Sequence, residues 1–269
     1  MIKRNFIMSL KRNRELIELF VKRDINSKYK GSILGILWTL INPIIMLTVY
    51  TIIFSQVFTI KWGNIGGRTN SLEFAINLFA GLIVFNIFAE TAARSSQLIS
   101  NNPNYIKKIK FPIEILGVMV TGTAFIQAAI SLIILLTVNY YEYGVISHSI
   151  IVIPVIWGSY SLKILGMVWI LSTIGVFIRD LNQIVNALIS ILMFMSPIFY
   201  PIEILPDNLK GIIGLNPLVL TIEHTRNIIT KNYAPRIEDI IWELAISILW
   251  CEISYRILKR SHLKFADRL

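Results

Sequence analysis

Apolar residues do not alternate along this chain with the short periods of a soluble fold. They run in six long blocks separated by polar or basic segments, at 33–58, 74–93, 113–139, 150–178, 184–200 and 237–258. A helix rises about 1.5 Å per residue, so about 20 apolar residues cross roughly 30 Å of hydrocarbon. Each block therefore reads as a membrane-spanning helix. Before the first block, Leu10, Ile17, Phe20, Val21 and Ile25 recur at helical spacing among Lys11, Arg12, Arg14, Lys22 and Arg23, which predicts an amphipathic helix over 9–26 lying in the interface. The stretch 211–230 is apolar enough to imitate a further span. Gly211, Gly214, Asn216, Pro217, Glu223, His224 and Arg226 would break or burden it, so a re-entrant helical hairpin over 201–235 is expected instead.

The fold class expected is all-α: a polytopic membrane protein with six transmembrane helices. A single domain covers 1–269, divided into an interface helix (1–32), a six-span bundle (33–258) and a tail (259–269). Composition supports the lipid setting, because 55% of the 269 residues are hydrophobic and only 16% charged, more apolar surface than a soluble domain of this length buries. The net charge of +10 raises nucleic acid as a partner. The basic residues, however, crowd the termini and one loop, an arrangement that membrane orientation explains and a nucleic-acid site does not. Counting Lys and Arg, 19 fall in 1–32, 94–110, 179 and 256–269 and 6 on the opposite side, with Lys163 inside a span. The positive-inside rule then places both termini in the cytoplasm. No apolar core of signal-peptide length lies among the N-terminal basic residues, so no cleaved leader is expected.

Candidate chemistry is sparse. The single cysteine, Cys251, excludes an intrachain disulfide and a thiolate metal site. His148, His224 and His262 fall too far apart to form one metal site or triad. No glycine-rich phosphate loop ending in Gly-Lys-Ser/Thr is present, so work on a cargo must be powered by another polypeptide. Two intramembrane charges need partners, since each costs roughly 2.5 to 3.5 kcal/mol near a helix centre. Glu90 and Lys163 stand at similar depth and could bridge spans two and four. Arg94, at i+4 from Glu90, offers a simpler local pair and leaves Lys163 without an assigned partner. Arg179 and Asp180, in the turn between spans four and five, are the right types to cap helix ends or to meet a partner.

Four strings in order along the chain carry a resemblance. They are Lys28-Tyr-Lys-Gly-Ser-Ile-Leu-Gly-Ile-Leu-Trp38 with Asn42-Pro43, Tyr105-Ile-Lys-Lys-Ile-Lys-Phe-Pro112, Val176-Phe-Ile-Arg179-Asp180-Leu, and Met195-Ser-Pro197-Ile-Phe-Tyr-Pro201 with Leu205-Pro206 and Asn216-Pro217. Together they resemble the ABC-2 type permeases that export O-antigen, capsule or teichoic-acid polymers. After Phe111-Pro112 similar permeases often carry an Arg, where this chain has Ile113 and Glu114. The resemblance implies a transporter subunit in the cytoplasmic (inner) membrane without an ATPase site or cofactor of its own. ATP and Mg would be bound by the partner, in an assembly of two permease copies and two ATP-binding cassette subunits moving a lipid-linked polysaccharide.

It further implies a coupling surface for the ATPase at Asn101, Asn102, Tyr105, Lys107, Lys108, Lys110, Arg179 and Asp180, against a plain basic loop on lipid headgroups. Spans one and five would line the path. Tyr50, Phe54 and Phe58 stand at i, i+4, i+8 on span one, and Phe194, Phe199 and Tyr200 near the outer end of span five. With Trp38 they are candidates for a wall against which sugar rings stack, the alternative being an interfacial aromatic belt. Rival functions are export of a small lipid or drug by the same family, and a membrane-embedded transferase. For the latter the only His–Asp spacing, His262 with Asp267, lies in the tail.

Overall fold

A computed structural model describes residues 6–57, 71–106, 111–262 and 265. Eleven α-helices are described: α1 (Phe6–Arg12), α2 (Arg14–Lys28), α3 (Trp38–Val57), α4 (Ser71–Ser95), α5 (Pro103–Ile106), α6 (Glu114–Tyr143), α7 (Ile153–Phe177), α8 (Leu181–Met195), α9 (Asp207–Gly214), α10 (Leu218–Lys231) and α11 (Ile237–Ser261). Among the described residues the fold is all-helical. Four stretches, Gly35–Ile53, Leu72–Ser95, Glu114–Tyr143 and His148–Phe177, are long and apolar enough to cross a membrane.

The other two expected spans differ in detail. Helix α8 has 15 residues, about 22 Å of rise, because Pro197 forces its predecessor out of the helical region: Ser196 sits at φ −99°, ψ 144°. Phe199 and Tyr200, expected on span five, therefore lie beyond the end of α8. Helix α11 has 25 residues, ample length, but carries Glu238, Asp239, Glu243 and Glu252 along it. The interface helix is two helices rather than one. At Asn13 the side-chain Nδ2 donates to Ser9 O at 2.8 Å, a local bond that competes with helix continuation.

Helix α4 is the axis of the bundle and packs against α3, α6, α7, α8 and α10. Ile76, Leu78, Leu82, Ile83, Val84 and Phe85 are all buried, so α4 is apolar around most of its circumference, as a central helix must be. The most extensive pairing among the described helices is α7 with α11, where small residues admit rings: a Cβ on Gly166 would stand 2.5 Å from Trp250 Nε1. Trp250 Nε1 in turn donates to Lys163 O at 3.1 Å. Gly117 of α6 receives Trp169 of α7 in the same way, with its missing Cβ 2.6 Å from the indole nitrogen.

Helix α2 lies along the first half of α6, and α1 meets the end of α11. Glu114, buried at the start of α6, is the knot: it accepts from Lys259 Nζ at 2.7 Å and from Ser9 Oγ, while its main-chain oxygen accepts from Trp169 Nε1 at 3.1 Å. The first and last helices thus share one end of the bundle, called here the α2 end. At the other end α9 and α10 form a helix–turn–helix within the segment where a re-entrant hairpin is expected. Asn216 shapes the turn, accepting from Leu218 N at 3.0 Å and donating to Ser196 Oγ at 2.9 Å. Helix α10 closes in the left-handed conformation at Asn232 (φ 49°), whose side chain accepts from Ser147 Oγ at 2.6 Å.

Candidate functional site

Two turns project from the α2 end. The first follows α4: Asn101 N donates to Gln97 O at 2.9 Å, Asn102 Nδ2 to Leu98 O at 2.9 Å, and Pro103 opens α5. The second is the exposed Arg179–Asp180 turn between α7 and α8. Ser96 joins them. Its Oγ lies 2.9 Å from Asn182 Oδ1, and its main-chain oxygen lies where a Cβ on Gly175 would come within 1.8 Å. Only glycine allows that approach, so the ends of α4 and α7 that carry the two turns meet through backbone contact.

The structure thus gathers Asn101, Asn102, Arg179 and Asp180 at one end of the bundle. Tyr105 does more than face outward: its hydroxyl accepts from Arg23 Nη1 at 2.6 Å and its ring packs on Phe20 and Phe111. It fastens the first turn to α2. Asp180 sits at the N-cap of α8 and its main-chain oxygen accepts from Gln183 N and Ile184 N, yet its side chain makes no capping bond. The capping role expected for this residue is therefore not filled by its carboxylate. Lys107, Lys108 and Lys110 lie outside the described residues.

The intramembrane charges resolve into three groups. Glu90 accepts from Arg94 Nη1 at 3.3 Å, the i,i+4 pair expected. It also meets Lys28 Nζ, and Arg94 reaches back to Asp24 at 2.6 Å, so the end of α2 is bound electrostatically to α4. Lys28 further donates to Gln127 Oε1 at 2.9 Å, and Gln127 Nε2 donates to Tyr29 OH at 2.8 Å. Burial raises the Tyr29 hydroxyl above its ordinary range, opposed by the Gln127 bond and assisted by the nearby Glu90 charge.

Lys163 pairs not with Glu90 but with Glu243, at 2.6 Å across α7 and α11. The bridge between spans two and four is absent, because Glu90 is saturated by its own neighbours. Glu243 also faces His224 Nδ1 of α10 at 3.8 Å. Sequence reasoning overlooked Glu243. Its signal was an acid two turns into the last block, on a helix that also carries Glu238, Asp239 and Glu252. The third group holds Arg226, 1% exposed: Nη1 donates to Glu223 at 2.6 Å, Nη2 to Pro197 O at 2.6 Å and Nε to Asn77 O at 3.2 Å. Gly81 makes room for this guanidinium, since a Cβ there would lie 3.0 Å from Nη2.

The aromatic candidates separate. Tyr50 is half-buried and packs on the core, whereas the Phe54 side chain and all of Phe58 lie outside the described residues. Phe194 is exposed and stacks with Phe199 at a centroid distance of 6.3 Å, and Tyr200 OH donates to Phe194 O at 2.9 Å. Trp38 lines a cleft between α3, α4 and α6. Helices α3 and α8 leave long apolar faces uncovered, with Ile44 and Ile52 exposed on α3 and Ile184, Leu188 and Ile191 on α8.

Comparison with known proteins adds what geometry alone does not. Residues 15–230 match the family model described as ABC-2 type transporter. A protein of Myxococcus xanthus named O-antigen export system permease protein RfbA is 26% identical over 267 residues, 98% of each chain. A protein of the same name from Klebsiella pneumoniae is 29% identical over 227 residues, 81% of this chain and 83% of its own. The polysialic acid transport protein KpsM of Escherichia coli is 26% identical over 225 residues, covering 81% and 82%.

Proposed function

The chain belongs to the ABC-2 type transporter family, and from that premise we propose that it is the membrane-spanning permease of an ATP-driven exporter of lipid-linked polysaccharide. The observation that carries this reading is the end-to-end match to an O-antigen export permease, over 98% of both chains, supported by the match to a polysialic acid transporter. The chain works as a pair of identical copies with two ATP-binding subunits, which bind ATP and magnesium. It sits in the inner membrane with six spans, α3, α4, α6, α7, α8 with its extension through Tyr200, and α11. Both termini and the α2 end face the cytoplasm, and the α9–α10 hairpin dips into the outer leaflet.

In this reading the ATPase docks on the two turns of the α2 end, through Asn101, Asn102, Tyr105, Lys107, Lys108, Lys110, Arg179 and Asp180. The Ser96–Gly175 contact makes them one mechanical unit. The uncovered faces of α3 and α8 meet the second copy and enclose the path. Tyr50, Phe54, Phe58, Phe194, Phe199 and Tyr200 offer ring faces to passing sugars, and Trp38 stands at the cytoplasmic foot of α3. Deleting the chain is expected to strip polymer from the cell surface and to accumulate lipid-linked polymer inside. Restoring the chain beside a hydrolysis-dead ATPase should leave that accumulation in place. Loss of the chain without intracellular accumulation would reject the assignment.

A further inference from the structure

Between α3, α4 and α6, toward the α2 end, lies a cleft of about 320 Å³. That is near the lower limit of small-molecule sites, roughly 300 to 1,000 Å³. Its walls are unusual for a helix bundle in lipid, because three helices each contribute an uncharged polar side chain: Asn42 from α3, Asn86 from α4, and Gln127 with Ser131 from α6. Asn42 and Asn86 are exposed and have no hydrogen-bond partner among the described residues. An amide left unpaired against hydrocarbon costs free energy, and Asn86 is all the more conspicuous on α4, whose surrounding residues are buried and apolar. Something that hydrogen-bonds belongs between them.

The charges beside the cleft narrow its chemistry. Glu90, which lines the cleft itself, stands with Asp24 against Lys28 and Arg94, two anions and two cations, each held in an ion pair. No member of this group is left over to neutralise a phosphate or an ammonium. The remaining recognition elements are neutral donors and acceptors and the ring of Trp38, which stands at the start of α3 on the same cleft. Amides for hydroxyl groups and an aromatic face for ring CH groups are the complement of a sugar. The volume is of the size of one such ring.

We propose that this cleft binds a single sugar ring carried on a membrane lipid, through Asn42, Asn86 and Trp38. The lipid could be a resident glycolipid or the lipid-linked cargo, which share the chemistry read by the cleft. The binding stands whether or not the chain exports polymer.

The test uses the full chain with its ATP-binding subunits in phosphatidylethanolamine nanodiscs, and native mass spectrometry to count retained lipids. The probes are monoglucosyl diacylglycerol, an undecaprenyl-diphosphate-linked hexose and phosphatidylglycerol. At least one sugar-headed lipid is expected to be retained in preference to phosphatidylglycerol. Retention of the first marks a resident glycolipid, and of the second alone, the cargo. The combined Asn42→Leu and Asn86→Leu variant is expected to lose this retention about tenfold. Ser131→Phe, which fills the cleft without touching the amides, should lose it too and decides the matter if the first variant does not assemble. Equal retention of phosphatidylglycerol, or retention unchanged in the variants, overturns the proposal. Polymer display at the cell surface is a separate readout, so its loss with sugar-lipid retention intact would count against the export function and not against this site.

Discussion

The Lys163–Glu243 pair gives the sharpest test of how this bundle is held. The two groups face each other from α7 and α11, with side chains 19% and 6% exposed, and they meet at 2.6 Å across the most extensive helix pairing among the described residues. Removing one partner leaves the other as an uncompensated charge in a low-dielectric setting, a loss of about 3 to 5 kcal/mol for buried pairs. Replacing both by apolar residues of similar size removes the desolvation cost together with the attraction, and is nearly neutral. Lys163→Met and Glu243→Leu are therefore each expected to destabilise by about 3 kcal/mol. Their combination should return to within about 1 kcal/mol of the natural protein. The assay is a double-mutant cycle on reversible unfolding in mixed micelles, followed by tryptophan fluorescence, since Trp250 bonds to the Lys163 carbonyl. Losses that simply add, giving no coupling between the two sites, would refute the reasoning.

Two other outcomes are expected. Gly175→Ala places a Cβ within 1.8 Å of Ser96 O and should prevent close packing of α4 on α7. Gly158→Ala in the same helix meets nothing within 4 Å and should be neutral or stabilising by up to about 1 kcal/mol, so the yields of assembled protein separate a steric effect from helix propensity. His262, just past α11, has its pKa lowered by burial and then by Lys259, with Glu114 opposing. Its protonation therefore favours the unfolded tail: the stability it leaves intact is full above the ordinary histidine value of 6.5 and is lost as pH falls toward the lowered value. Protease sensitivity of the tail should rise on acidification, and His262→Gln should flatten that dependence.

Much of the architecture was legible one helix at a time. Block length and composition locate α3, α4, α6 and α7, because the backbone must satisfy its own hydrogen bonds in lipid and a helix does so within one segment. Local chemistry was equally readable. Asn216-Pro217 shapes the hairpin turn, and Glu90 finds Arg94 four residues on. The break at Asn13 and the early end of α8 at Pro197 were present in the residue types and went unread because periodicity and apolarity ran past them.

What sequence alone could not decide is which face of each helix meets which neighbour. A segment that is apolar all round carries no polar stripe to set its rotation, so hydropathy finds the helix and stays silent about its partners. Glu243 and Lys163 are 80 residues apart, Glu114 and Lys259 145 apart. Only packing brought each pair together, as it set Ser96 against Gly175 and left Asn42 and Asn86 facing one another's cleft without partners of their own. Sequence by itself determined that this chain is helical, lipid-solvated and without a Gly-Lys-Ser/Thr phosphate loop. The tertiary structure decided which charges are neutralised, which turns touch and where a polar ligand has room to bind, because those depend on helix rotation and approach rather than on order along the chain.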